Sequence, residues 1–97
     1  MVLEVALIDV LPGSEDDFAA AYAKAHDILV ATDGCLTVRM TRGVETPNRF
    51  VLLVEWDDVA AHETNFRGTE RFTLWRGAIG EYFAQPPLVE HVETVEP

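Results

Sequence analysis

The run Phe50-Val51-Leu52-Leu53-Val54-Glu55-Trp56-Asp57-Asp58 joins an apolar strand directly to a helix start. Phe50, Leu52, Val54 and Trp56 lie on one side of that strand, and Val51 and Leu53 on the other, so both faces must be covered. Either aspartate can accept a backbone N–H at the start of a helix. Val59, His62 and Phe66 then fall at helical spacing, as do Phe72, Trp75, Ile79 and Tyr82.

The remaining elements follow from similar signals. Val2 to Leu11 is an apolar strand stopped by Pro12-Gly13, with Leu3, Val5 and Leu7 opposite Val2, Ala6, Ile8 and Val10. Ser14, with Asp17 three residues on, predicts a capped helix whose stripe is Phe18, Tyr22, Ala25 and Leu29, ending at Asp33-Gly34. Cys35 to Arg42 alternates Cys35, Thr37, Arg39 and Thr41 against Leu36, Val38 and Met40, a half-buried strand. After a loop over 43–48, Arg49 to Trp56 is the third strand. A short helix is expected through Phe66, and a second, capped by Thr69, from Glu70 to Phe83. Pro86-Pro87 precedes a last strand, Leu88 to Val95.

Strand, helix, strand, strand, helices, strand is the split βαβ order of an α+β, ferredoxin-like sandwich. It predicts one domain over 1–97, with an antiparallel four-stranded sheet carrying its helices on one face. Helices on one face leave the apolar residues of the first and third strands bare on the other. An identical sheet is the simplest cover, so a homodimer packed face to face, a dimeric α+β barrel, is expected.

Seventeen acids against seven bases give a net charge of −10, which repels a phosphate backbone and argues against nucleic-acid binding. Apolar runs are too short for a membrane span, the N-terminus lacks a basic leader, and the cytoplasm is the expected location. Cys35, the single cysteine, has no basic neighbour in sequence and reads as an inert thiol.

His26, His62 and His91 lack metal-ligand spacing, and no dinucleotide, Walker or nucleophile-elbow motif occurs, so neither metal nor cofactor is expected. His62 shares the helix side of Val59 and Phe66, and is either a satisfied core histidine or a proton-handling group. Asn65, three residues later, either ends a helix turn or orients a substrate oxygen. Trp56 and Trp75 suit a core or the walls of an aromatic pocket. Arg76 is either solvated or holds an anion. Gly77 and Gly80 inside a helix suggest close packing or room for a ligand. His91 faces either the helices or a dimer partner, and the pattern leaves both open.

The stretch from Phe50 to Phe83 resembles the antibiotic-biosynthesis monooxygenase domain, and the likeness extends over the whole chain. That resemblance implies a ferredoxin-like dimer. In the branch that oxidises polycyclic phenols with O2 and no metal or flavin, a tryptophan ends the third strand, as Trp56 does. That branch's tyrosine falls at His62 and its arginine at Arg76, while its strand asparagine falls at Leu52, a departure. A haem-degrading branch uses an asparagine and a histidine where Ala6 and Arg76 stand, and so lacks its iron ligand here. A cofactor-free isomerase branch needs a phosphate cluster that this chain does not show.

The resemblance therefore implies a cofactor-independent monooxygenase acting on a small aromatic phenol or quinol. His62, Asn65 and Arg76 would be catalytic, with Trp56, Phe66, Phe72, Trp75 and Tyr82 binding the substrate. The competing readings are a non-catalytic binding or structural homodimer and, behind it, a cofactor-free isomerase.

Overall fold

A computed structural model describes residues 1–97. Its four strands are β1 (Val2–Asp9), β2 (Cys35–Arg42), β3 (Arg49–Trp56) and β4 (Leu88–Val92). They form one antiparallel sheet in the order β2-β3-β1-β4. Helix α1 (Glu15–Val30), a one-turn α2 (Val59–His62), a π-helical turn (Glu63–Arg67) and α3 (Glu70–Ile79) cover one face. This is the ferredoxin-like α+β fold.

Period-two alternation in β1 and β3 decides which side chains meet the helices. Ala6, Ile8, Phe50, Leu52, Val54 and Trp56 are buried beneath them, against Phe18, Ala25, Leu29, Trp75 and Ile79. Phe18 anchors the far end, its ring centroid 4.7 Å from that of Phe50. On the opposite face Leu3, Val5, Leu7, Val51 and Leu53 are only half-covered, and Leu88 and Val92 are exposed. The two-faced apolar pattern is thus real, with one face left uncovered within a single chain.

Several local expectations are corrected. In β2 the strict alternation fails, because Leu36 is an extra residue bulged out between Cys35, opposite Trp56, and Thr37, opposite Glu55. Cys35 therefore joins Val38 and Met40 on the helix side, and Leu36 is exposed. Ser14 makes no side-chain cap; instead the Gly13 N–H donates to Glu15 Oε1. Of the two candidate aspartates, Asp58 caps α2 by accepting the Ala61 N–H at 2.7 Å. The last helix gives way at Gly80 to a single 3-10 turn through Tyr82, and β4 stops at Val92.

Gly34 sits where only glycine fits. Its φ is +87°, and a Cβ there would lie 2.6 Å from the Ala61 Cβ. Gly34→Ala should therefore cost about 1–3 kcal/mol in urea unfolding. Gly77 is different: a Cβ there meets nothing within 4 Å, so close packing within the chain does not require it. Gly77→Ala should stabilise the domain by up to about 1 kcal/mol in the same measurement.

A buried Glu4–His62–His91 cluster beside an aromatic cavity

Register builds the site. Pairing of β1 with β4 sets Glu4 opposite His91, and pairing with β3 sets it opposite Val54, next to Trp56 on the same face. Glu4 therefore projects among the helices, where a carboxyl must find partners. The Trp56 indole N–H donates to its Oε1 at 2.9 Å, and His62 Nε2 lies 3.4 Å from the same oxygen. His62 Nδ1 is 2.7 Å from His91 Nε2, so one of the two rings donates to the other. The imidazole of His62 lies flat on Trp56, centroids 5.0 Å apart with 14° between planes, and Phe66 stacks on it at 6.1 Å.

Burial governs the ionisation of both groups. It pushes the Glu4 carboxyl up, against the lowering effects of the Trp56 N–H and of Arg67. Burial pushes His62 down to about 4, with His91 and Arg67 adding to the fall. The nearby carboxylate favours the imidazolium, yet desolvation of a ring this enclosed outweighs a contact of 3.4 Å. Burial thereby favours the neutral form of both groups, and the 3.4 Å between Glu4 Oε1 and His62 Nε2 places them where a proton can pass from one to the other.

Beside this cluster, between sheet and α3, lies a cavity of about 190 Å³. Ala6, Ile8, Leu29, Leu52, Phe66, Phe72, Trp75, Phe83 and Val89 give it apolar walls, with Glu4 and His62 buried in its lining and Arg67 and Arg76 exposed beside it. All side-chain nitrogens and oxygens that are shut off from solvent have partners. The second oxygen of Glu4, Oε2, takes no hydrogen bond from the protein and is thus the carboxyl's free acceptor.

The predicted site residues separate here. His62, Phe66, Phe72, Trp75 and Arg76 line the cavity, and Trp56 lies directly behind His62. Asn65 does not reach it: its Nδ2 donates to the Asp33 carbonyl at 2.8 Å, at the opposite side of α2. The cause is the π-helical turn, in which the Gly68 N–H bonds the Glu63 carbonyl five residues back. This wider turn breaks the three-residue spacing that would align Asn65 with His62. Tyr82 also lies elsewhere, packed edge-on to Phe18 beyond the end of α3.

Sequence reasoning missed Glu4 and left His91 undecided. The one available signal for Glu4 was an acid flanked on both sides by apolar residues of a strand. His91 faces the helices, not the open face. Cys35 is half-buried, its thiol pushed up to about 11 by burial and by the charge of Glu4, in keeping with an inert role.

The chain belongs to the antibiotic biosynthesis monooxygenase family, whose sequence model matches residues 1–78. An uncharacterised Bacillus subtilis protein, YczJ, is 30% identical over 95 residues, spanning 98% of this chain and all of its own. The crystal structure of a Bordetella bronchiseptica protein classed with these monooxygenases matches with a TM-score of 0.94 at 40% identity, over 98% of this chain and 97% of the other. SnoaB, a cofactor-independent oxygenase from Streptomyces nogalater, shares the fold at 16% identity and a TM-score of 0.82, over 99% and 94% of the two chains. Family and neighbours support a monooxygenase-like role. No helix is long and apolar enough to cross a membrane.

The pH dependence of stability follows from the two shifts. His62, lowered from 6.5 to about 4, stays neutral in the fold while the unfolded ring protonates, so stability falls as pH drops from 6.5 towards 4. Glu4, raised from 4.5, works oppositely: the fold binds its proton first, so stability is lost as pH rises from 4.5 through the raised value. Glu4→Gln keeps an acceptor for Trp56 and removes the second effect. The variant should be more stable than wild type at pH values above the raised value of Glu4 and lose stability more steeply on acidification, as read by urea unfolding across the acid-to-neutral range.

Proposed function

We propose that the protein oxidises a small phenol or quinol-type aromatic with O2, without metal or flavin, in the cavity beside His62. The observation that carries this reading is the Glu4–His62 pair, a partly free carboxyl and a neutral imidazole in the lining of an apolar, aromatic pocket. A pocket filled by its own side chains would suit a structural dimer; this one keeps about 190 Å³ open. An apolar cavity of about 150 Å³ holds one benzene, so this space, open at its rim, suits one or two rings.

In the proposed reaction the Glu4–His62 pair takes the phenol proton, and His91, half-exposed, passes it towards solvent. The phenolate gives one electron to O2, and the resulting superoxide joins the aryloxyl radical through a new C–O bond at a ring carbon. Loss of the ring C–H proton and cleavage of O–O leave a carbonyl, with the second oxygen released as water. Phenol plus O2 thus gives quinone plus water, and the electrons come from the substrate. Arg67 and Arg76 contribute positive potential to the pocket, which favours the anionic form. Asn65 and Tyr82 have no part in this scheme.

His62→Ala should lower oxygen uptake with the best phenol of a panel of naphthols, quinols and anthrone by roughly 10²–10⁴-fold while the fold persists. If no member of the panel supports oxygen uptake by the wild type, the oxygenase reading fails. A purely structural His62 would instead cost stability and leave the rate per folded molecule unchanged.

We also propose that two copies pack through the open sheet face. Its support is the apolar surface of Leu3, Val5, Leu7, Val51 and Leu53, neighbours in register that the helices leave uncovered. Leu53→Lys would bury an unpaired charge there. Light scattering should give a dimer mass for wild type at micromolar concentration and a monomer or aggregate for the variant; a wild-type monomer sinks the proposal.

A further inference from the structure

The chain carries ten more negative charges than positive, yet the cavity reverses that balance. Of the seven lysines and arginines, two, Arg67 and Arg76, line it, and its single acid is Glu4, whose ionisation burial opposes. Neither arginine has a carboxylate within salt-bridge reach, whereas Arg49 and Arg42 pair with Asp9 and Asp16. The two guanidiniums also share a support. The carbon of Arg67 is 5.8 Å from the Phe72 centroid and that of Arg76 is 5.9 Å from the same point, with Phe83 a further 5.1 Å from Arg76. Two positive charges near one aromatic ring, neither matched by a carboxylate, make this rim attractive to an anion. Contact with the rings holds both guanidiniums near the rim, and their N–H groups match a planar acceptor.

Depth in the pocket orders the chemistry. Glu4 and His62 are buried at the inner wall, and the arginines are exposed at the rim. We infer that the natural occupant is an aromatic carboxylate, a one- or two-ring hydroxyarene with its ring between Phe66, Phe72 and Trp75. Its hydroxyl points inward to the Glu4–His62 pair, and its carboxylate is held at the rim by Arg67 and Arg76. A carboxylate turned the other way would be buried at the inner wall, away from both guanidiniums, so the arginines set orientation as well as affinity. This inference rests on the oxygenase reading for the orientation of the hydroxyl, but the binding claim stands or falls separately.

Isothermal titration calorimetry without oxygen tests it, using hydroxynaphthoate, its methyl ester and the unsubstituted naphthol. Wild type should bind the acid at least about tenfold more tightly than the ester, and added salt should narrow the gap. In Arg67→Gln/Arg76→Gln the gap between acid and ester should close, and each single variant should close part of it. An ester or naphthol that binds as tightly as the acid overturns the inference, as does a gap unchanged in the double variant or failure of all three to bind. Circular dichroism of the variants confirms that rim substitutions leave the fold in place. Acid-selective binding with no oxygen uptake would sink the oxygenase reading and keep this one. Oxygen uptake with naphthol alone and no acid preference would do the reverse.

Discussion

A carboxyl group taken out of water needs compensation, and most of the functional geometry of this domain is arranged around that need at Glu4. The register of β1 puts the side chain under the helices, next to the last residue of β3 and opposite His91 on β4. The indole of Trp56 supplies a fixed donor, and the same indole supplies the flat surface on which His62 rests. An apolar residue at position 4 would pack without these demands. Retaining an acid there orders three aromatic rings and one carboxyl into a single arrangement and leaves one carboxyl oxygen unclaimed.

The helical layer adapts to that arrangement locally. Asp58 starts α2 two residues after the strand ends, so His62 arrives over Trp56 after a single turn. The chain then widens into the π-helical turn, which keeps Phe66 stacked on His62 while carrying Asn65 away to the loop at Asp33. There Asn65 joins the Asp57 N–H, which donates to the Gly34 carbonyl at 2.8 Å, in tying the two loops at this end of the sheet. Its work is architectural, and the cavity takes its polar groups from Glu4 of β1 and from His62, Arg67 and Arg76 of the helical layer instead.

Much of the fold was legible because alternation and helical stripes report burial directly. β1, β3 and the stripe of Phe18, Ala25 and Leu29 have few alternatives once their apolar residues must be hidden. Two local features were not. A bulge costs one residue and leaves no compositional trace at Leu36, and a π-helical turn differs from an α-helical one by one residue in hydrogen-bond span. The site suffered more than the fold from this, since a one-residue error in phase turns a helical side chain by about 100° and carries Asn65 off the cavity. His62 was found because a titratable ring on an apolar stripe is conspicuous. Glu4 was passed over because an acid in a strand reads as solvent-facing, and only the pairing of the strands shows that its face is the one beneath the helices.

The extra residue at Leu36 also bears on how copies of the chain meet. An edge strand offers a row of free N–H and C=O groups to any neighbour, and β2 is such an edge. By bending that edge and breaking its regular hydrogen-bonding spacing, the bulge spoils it as a template for a further strand, while Arg39 and Arg42 add charge along it. Growth of the sheet sideways into an open-ended array is thereby disfavoured. What the domain still presents is the half-covered apolar face of the sheet, and a face of that kind would be used up by a single pairing.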